Sequence, residues 1–445
     1  MNKQDQHIVV IGLGKTGYSV VSFFADRGER VIAMDTRDQP PFADDVRSQY
    51  AKVELILGGL DQEVLCAAKR IILSPGLPLA TKEIQAAVKL GVPVVGDIQV
   101  FADYAKAPVV AITGSNAKST VTTLLGEMAK DAGLNVAIGG NLGTPALELI
   151  NDNVELYVME LSSFQLETTP QLNAAVATVL NVSPDHLDRY ESYDEYWHAK
   201  HRIFNGAKSA VINRDDSRST PLQELDVKTL SFGLSEAQGN DFGIVEQDGD
   251  SYLAIDHQAL INTKQLKIKG THNRSNALAA LALGSAAGLS LDSMLTTLED
   301  YPGLDHRCQW VGQHNGIEYF NDSKGTNVGA TVAALDGLAS DVQGSIVLMA
   351  GGDSKGADFT YMQNAIKHSV KTLIAYGRDK ELIQAALSND TQVILASSFE
   401  DAFTKATASA NQGDAVLLSP ACASFDMFNS FEHRGETFVN LVESL

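Results

Sequence analysis

Cysteine is scarce: the chain has 445 residues and only three thiols, Cys66, Cys308 and Cys422. Three scattered cysteines build neither a disulfide framework nor a zinc site, and they point to reduced thiols in a cytoplasmic protein. With 36 glycines and 12 prolines, collagen-like and low-complexity classes are excluded. Positive charge is also short, since 34 Lys and Arg stand against 55 Asp and Glu, a formal net charge of −21 at pH 7. A field of that sign repels a phosphate backbone, so no general nucleic-acid binding is expected. It leaves room for a nucleotide, which a few local cations can hold. Long hydrophobic runs are missing as well. The most apolar stretch, 277–291, is interrupted and shorter than the ~20 residues that span a bilayer, and no membrane insertion is expected. The start, MNKQDQHIVVIGLG, has neither a basic region nor a cleavable apolar core, so no signal peptide is expected.

What is present is a globular composition, 44 % apolar and 20 % charged, long enough for about three domains. Short β-branched runs recur, each ending in Gly, Ser, Asn or Asp and leading into a helix-like segment. They include IVVIGLG (8–14), RVIAMD (30–35), RIILSPG (70–76), VVAITGS (109–115), ELYVMELSS (155–163) and AVATVLNVS (175–183). SIVLMAGG (345–352), TLIAYG (372–377), QVILAS (392–397) and DAVLLSPA (414–421) follow. Continuous rather than alternating apolar runs indicate strands buried on both faces, as in parallel sheets covered by helices. The class is α/β. Gly-rich turns near residues 12, 114 and 351 each read as the first β–turn–α of a separate sheet. Pro and Gly punctuate 96–108 and 301–304, which sets boundaries for domains at 1–96, 97–302 and 303–445. The polar stretch 214–265 predicts antiparallel structure within the middle domain.

VVAITGSNAKSTVTTLLGEM predicts a strand ending at Thr113, a turn through Gly114-Ser115-Asn116-Ala117, and a helix starting around Lys118-Ser119-Thr120. Such a turn aims backbone N–H groups and a helix N-terminus at an anion. Lys118 would bind β/γ-phosphates and the Ser119 hydroxyl would reach Mg²⁺. The usual Walker A pattern is not met, because Ile112 stands where its first glycine belongs. GLGKTG supplies Gly12, Gly14 and Gly17 after a strand, with Asp35 ending the next one. Read alone, that spacing says NAD or FAD, although the geometry serves any nucleotide diphosphate.

The phosphate loop resembles that of the Mur ligases, the ATP-dependent amino-acid-adding enzymes of peptidoglycan synthesis. ELSSFQLE (160–167), LNVSPDHLDRY (180–190), GTHNRSNALAA (270–280), NDSKGTN (321–327) and SPACASFDMFNSFEHRG (419–435) match in the family's order. The resemblance covers essentially the whole chain, and GLGKTG with the last two motifs is most similar to the members that add D-glutamate. One departure is Ala117, where the family usually has Gly. If that position needs φ > 0, alanine strains the turn by about 1 kcal/mol or more.

The resemblance implies a Rossmann-like N-terminal domain for a UDP substrate, a central P-loop ATPase-like parallel sheet for ATP, and a Rossmann-like C-terminal domain for the amino acid. It implies UDP binding by Lys15, Thr16, Asp35, Thr36, Arg37, Ser74, Gly76, Asn141, Ser162 and Gln165. ATP would be held by Gly114, Ser115, Asn116, Ala117, Lys118, Ser119 and Thr120, with Asn276, Arg307 and Asp322 contacting it from elsewhere. Catalytic roles fall to Lys118, Glu160, His186 and Lys200. Two Mg²⁺ would use Ser119, Glu160, His186 and Lys200, the last as a carbamate. Lys200 lies in YWHAKHRIF, where burial and the basic neighbours His198 and His201 disfavour a charged amine. D-Glutamate would meet Lys324, Thr326, Lys355, Ser424 and Phe431, two lysines pairing its two carboxylates.

The implied reaction transfers the γ-phosphoryl of ATP to the carboxylate of UDP-N-acetylmuramoyl-L-alanine, giving an acyl phosphate that the amine of D-glutamate attacks. A monomer in the cytoplasm is expected. Two readings stand beside it: another ligase of the family or a folylpolyglutamate synthetase, and, from GLGKTG, an NAD(P)-binding oxidoreductase.

Overall fold

Each apolar run named above folds as a strand, because a strand covered on both faces must be apolar along its whole length. The structure, a computed structural model, describes residues 7–183, 189–190, 192–237, 239–339 and 341–445. The chain divides into two compact units. The first is Met1–Val245 with Ala254–Ala259 and Leu278–Thr297, and the second is Glu246–Leu253 with Leu260–Ala277 and Leu298–Leu445.

The first sheet contains β1 (Ile8–Ile11), β2 (Val31–Asp35), β3 (Glu54–Leu57), β4 (Arg70–Leu73) and β5 (Val94–Val95). Its order is β3-β2-β1-β4-β5, all parallel. The order reverses between β1 and β4, which opens a crevice at the carboxyl ends of those two strands. Gly12 and Ser74 follow them. Gly17 is obligatory here, since a Cβ would lie 1.6 Å from the Gly12 carbonyl oxygen.

The second sheet contains β6 (Val109–Thr113), β7 (Val136–Gly140), β8 (Leu156–Glu160), β9 (Val176–Val179), β10 (Ser209–Asn213) and β11 (Lys228–Phe232). Then come β12 (Phe242–Gln247), β13 (Asp250–Ile255) and β14 (Gln258–Asn262), and the order is β14-β13-β12-β11-β10-β9-β6-β8-β7. The two-residue connections after Gln247 and Ile255 require antiparallel neighbours, as the polar stretch suggested. The expectation fails for β11, which pairs parallel with β10 and with β12. A common core lies between the first two sheets, with the Phe101 ring edge-on to Tyr157 at 5.0 Å.

The third sheet contains β15 (Gln309–His314), β16 (Ile317–Asn321), β17 (Ile346–Gly351), β18 (Val370–Tyr376), β19 (Gln392–Leu395) and β20 (Ala415–Leu418). Its order is β15-β16-β20-β17-β18-β19, with only β15 antiparallel to its neighbour. The Gly-rich turn near residue 351 therefore does not open this sheet. The β15–β16 hairpin and the helix Val328–Leu338 precede it, and a turn with a 3₁₀ segment, Phe359–Met362, separates β17 from its next helix. Apolar clusters cover both faces of the sheet. Among the described residues no helix is long and apolar enough to cross a membrane.

Asp97, first residue of the helix Asp97–Tyr104, is buried, and its Oδ1 has no partner among the described residues. Burial pushes its carboxyl up to about 6, outweighing hydrogen bonds from the Ile98 and Asp97 N–H groups and the Gln165 amide. The folded protein thus holds this proton more tightly than an exposed aspartate, whose value is 3.8. The stabilisation is full below that value and is lost as pH rises through about 6. Asp97→Asn should gain roughly 1–3 kcal/mol at pH 8 and almost nothing at pH 4. Calorimetric melting at both pH values reads this, and an equal gain at both removes ionisation as the cause.

Candidate active site

The turn after β6 is fixed from three directions. Thr113 donates its hydroxyl to the Leu161 carbonyl at 2.7 Å. The Ser115 N–H donates to the Asn181 carbonyl (2.9 Å) and the Asn116 N–H to Asn181 Oδ1 (2.8 Å), which ties the turn to the segment following β9. The Ser115 hydroxyl donates to the Ser183 carbonyl and lies 3.0 Å from the Tyr196 hydroxyl. Lys118 Nζ folds back onto the carbonyls of Gly114 (2.8 Å) and Ser115 (2.9 Å). The helix Lys118–Asp131 follows, with Ser119 and Thr120 buried in its first turn. A helix N-terminus at the carboxyl edge of a parallel sheet, with an ammonium beside it, is built to receive a phosphate. Ala117 caps this helix at φ 67°, ψ −6°, so the left-handed strain the sequence suggested is present.

Glu160 ends β8 and is 2 % exposed. Its Oε1 accepts from the Asn141 amide at 2.7 Å, while its Oε2 is buried without a partner among the described residues. An unsatisfied buried carboxylate oxygen is costly, and a hard divalent cation satisfies it. Asn141 therefore orients Glu160. Among the described residues no three His, Cys, Asp or Glu side chains converge on one point. His186 lies outside the described residues.

Lys200, on the helix Tyr193–His201, is 2 % exposed. Its Nζ donates to the Gly114 carbonyl at 2.9 Å and sits 4.5 Å from the Tyr196 ring centroid. Burial is as expected, but the basic neighbours are not. His201 bonds to the Arg218 carbonyl and the Trp197 indole, its pKa is lowered by burial, and His198 is exposed.

At the crevice of the first sheet, Asp35 accepts from the Leu13 N–H (2.7 Å) and from Arg37 through its N–H and guanidinium. Burial pushes this carboxyl up, but Arg37 and the two N–H groups outweigh it and hold it down at about 2. Both oxygens are taken. Lys15 Nζ donates to the Gly143 carbonyl at 2.8 Å, while Thr36 is exposed and the Thr16 carbonyl accepts from Ser19. The Ser74 N–H donates to the Ile11 carbonyl, and Gly76 lies two residues on. Ser162 and Gln165 form a capping box on a short helix, so each is held by the other. The Arg189 guanidinium stacks on Phe164 and donates to the carbonyls of Pro75 (2.7 Å) and Leu77 (3.3 Å).

In the second unit Asp322 follows β16 and accepts from the Cys308 N–H (3.1 Å) and the Ser419 hydroxyl (2.7 Å). Burial pushes its carboxyl up to about 7, against those bonds and the charges of Arg307 and Arg434. Asn276 is buried on the helix Thr271–Ala287, with its amide on Asn273. Lys324 Nζ lies 3.9 Å from the Phe431 ring centroid, and the Thr326 N–H donates to the Lys324 carbonyl. Lys355 is exposed at φ 50°, its N–H on Asp353. The Asp353–Ala423 bridge sets this turn beside the buried Ser424. Burial pushes the Cys422 thiol up to about 12 and raises Cys308 as well, so neither is a nucleophile.

Sequence reasoning gave no role to Asn181, Tyr196, Arg189 or Arg434. Asn181 and Arg189 lie inside LNVSPDHLDRY and Arg434 inside the last matched motif, so the motifs marked the places without the contacts. Tyr196 opens YWHAKHRIF, the segment singled out for Lys200, so its place too was marked without its contact.

Three family models match successive parts of the chain: Mur ligase MurD-like, N-terminal domain, over residues 6–96; Mur ligase middle domain, over 112–284; and Mur ligase, glutamate ligase domain, over 306–422. The chain is 53 % identical over 441 residues to a UDP-N-acetylmuramoylalanine–D-glutamate ligase of Pseudomonas savastanoi pv. phaseolicola, covering 99 % of this chain and 98 % of that one. Its identity to the protein of the same name from Pseudomonas aeruginosa is 52 % with the same coverage. Among solved structures it is similar to a MurF ligase from Thermotoga maritima in complex with ADP. The TM-score is 0.60 at 16 % identity, over 100 % of this chain and 96 % of that one, which is a likeness of fold.

The left-handed Ala117 makes its own prediction. Glycine relieves about 1–2 kcal/mol of strain there but adds about 0.4–1 kcal/mol of unfolded-state entropy. Ala117→Gly should therefore leave urea stability unchanged or raise it by up to about 1.6 kcal/mol. A clear loss would mean that the Cβ makes contacts worth more than the strain.

Proposed function

The chain belongs to the Mur ligase family, and from that premise we propose an ATP-dependent ligase that adds D-glutamate to UDP-N-acetylmuramoyl-L-alanine in peptidoglycan precursor synthesis. The observation that carries this reading is identity at more than half of the positions, over nearly the full length, to relatives named for that reaction. We assign 1–96 to the UDP substrate, 97–302 to ATP and 303–445 to D-glutamate, in a cytoplasmic monomer.

A free carboxylate is a poor acylating group, so the γ-phosphoryl of ATP goes first to the alanyl carboxylate. This forms an acyl phosphate and releases ADP. The amine of D-glutamate then attacks the acyl carbon, and phosphate leaves as the amide forms. Phosphoryl transfer needs positioning and charge neutralisation more than covalent help from the protein. The Gly114–Thr120 turn and Lys118 hold the phosphates. As the family resemblance implies, Asn276 would bond the adenine edge, Asp322 a ribose hydroxyl and Arg307 the γ-phosphate. Ser119, Glu160, His186 and Lys200 would hold Mg²⁺, which supplies positive charge at the phosphates when bound. The unpartnered Glu160 oxygen supports that placement. Lys15, Thr16, Asp35, Thr36, Arg37, Ser74 and Gly76 line the UDP crevice, with Asn141, Ser162 and Gln165 toward the sugar. Lys324, Thr326, Lys355, Ser424 and Phe431 receive D-glutamate.

Phosphate release from ATP should require both UDP-N-acetylmuramoyl-L-alanine and D-glutamate. Release that needs neither sinks the reading, and release with another amino acid in place of D-glutamate moves the chain to a sibling specificity. Lys200 is proposed to act as a carbamate, supported by its burial against the phosphate loop. Lys200→Ala should lose most activity, and formate or acetate should restore part of it by replacing the missing oxygens. ¹³C-labelled bicarbonate should give a carbamate resonance in the wild type that the variant lacks. Wild-type turnover in Lys200→Ala, or no such resonance, rules the carbamate out.

A further inference from the structure

Arg434 heads the fully buried side chains by size, with 0 % of its surface exposed. It lies on the helix Phe431–Glu443, three residues beyond Phe431. A guanidinium stays charged at any working pH, and taking it out of water is costly unless its donors are satisfied. Among the described residues the acceptors it bonds are neutral. Nε donates to the Ser323 hydroxyl (3.0 Å), and the terminal nitrogens donate to the carbonyls of Ser323 (2.9 Å) and Cys422 (3.2 Å).

Those acceptors are informative. Ser323 stands next to Lys324, and Cys422 stands two residues before Ser424. One guanidinium fork therefore ties the loop carrying Lys324 and Thr326 to the loop carrying Ser424, from the helix that begins with Phe431. The Ser323 hydroxyl passes the connection on by donating to the Phe431 carbonyl at 2.8 Å. Asn321 donates to the Gly435 carbonyl at 3.2 Å, and a Cβ on Gly435 would lie 2.1 Å from His306 Nδ1, so the helix start is held close. The charge is felt nearby, since it counts among the groups that lower the Asp322 carboxyl.

We infer that Arg434 is a positioning residue for the amino-acid substrate. It sets the spacing of Lys324, Ser424 and Phe431, and its buried charge favours a ligand bearing two carboxylates. This rests on the ligase reading above. The nucleotide side depends on it less, because Asp322 is pinned by Cys308 and Ser419 instead.

The test compares Arg434→Gln, Arg434→Lys and Ser323→Ala with the wild type, by phosphate release with each substrate varied in turn. Circular dichroism and melting confirm that each variant is folded. Arg434→Gln should raise KM for D-glutamate roughly tenfold, equivalent to about 1.4 kcal/mol. Arg434→Lys keeps the charge without the fork and should recover part of that loss. Ser323→Ala, which removes one acceptor, should raise the same KM about threefold. KM for ATP and for the UDP substrate should change less than about twofold. A folded variant with wild-type KM for D-glutamate, or equal rises for all three substrates, overturns the inference. If Arg434→Gln does not fold, Ser323→Ala decides alone. A wild-type enzyme that releases phosphate without D-glutamate fails the ligase reading instead, and that result is read before any variant is made.

Discussion

Two lysine side-chain nitrogens share one carbonyl oxygen, that of Gly114. Lys118 reaches it from the helix that follows, and Lys200 from a helix 86 residues further on. The other end of the same peptide plane is also held, because the Ser115 N–H donates to the Asn181 carbonyl. With its oxygen and its N–H both engaged, that peptide cannot rotate, and the loop that follows inherits its direction. Three separate segments meet on this one plane: the end of β6, the segment after β9, and the helix Tyr193–His201. The arrangement also places the Lys118 ammonium beside the loop before any ligand arrives, which is the preorganisation that phosphoryl transfer requires.

The placement matters because the chain as a whole is strongly acidic. Its long-range field opposes anionic substrates, so attraction has to be local and short-ranged. The structure concentrates cations where parallel strands end. Lys118 sits at the phosphate turn, Arg37 just after β2, Lys324 just after β16, and Arg434 on the helix Phe431–Glu443 that packs back onto the Lys324 loop. Several of these are buried or backed by aromatic faces, where salt screens them little.

Much of this could be read from the chain. β1, β6 and β17 are buried on both faces and announce themselves as unbroken apolar runs. β3 and β7 do not, because their residues are mostly half-exposed edge positions, and β15 is half polar. Candidate residues that belong to one local motif, such as Lys118, Glu160 and Asp322, were placed by that motif. What escaped were residues whose meaning lies in contacts across 65 (Asn116–Asn181), 81 (Ser115–Tyr196) or 111 (Arg434–Ser323) positions. No spacing rule encodes such pairs. Side-chain direction escaped too: helical periodicity places His201 next to Lys200 but does not say that its ring turns toward Trp197.

The left-handed Ala117 has a consequence for the durability of the loop. Asparagine ages when the backbone nitrogen of the next residue attacks its side-chain amide, closing a succinimide ring that opens to aspartate or isoaspartate. Glycine at the next position leaves that attack unhindered, whereas a methyl group obstructs it. Asn116 is the residue exposed to this chemistry, at a turn where a new negative charge would face the incoming phosphates. The alanine that strains the turn thus also protects its asparagine from conversion into an acid.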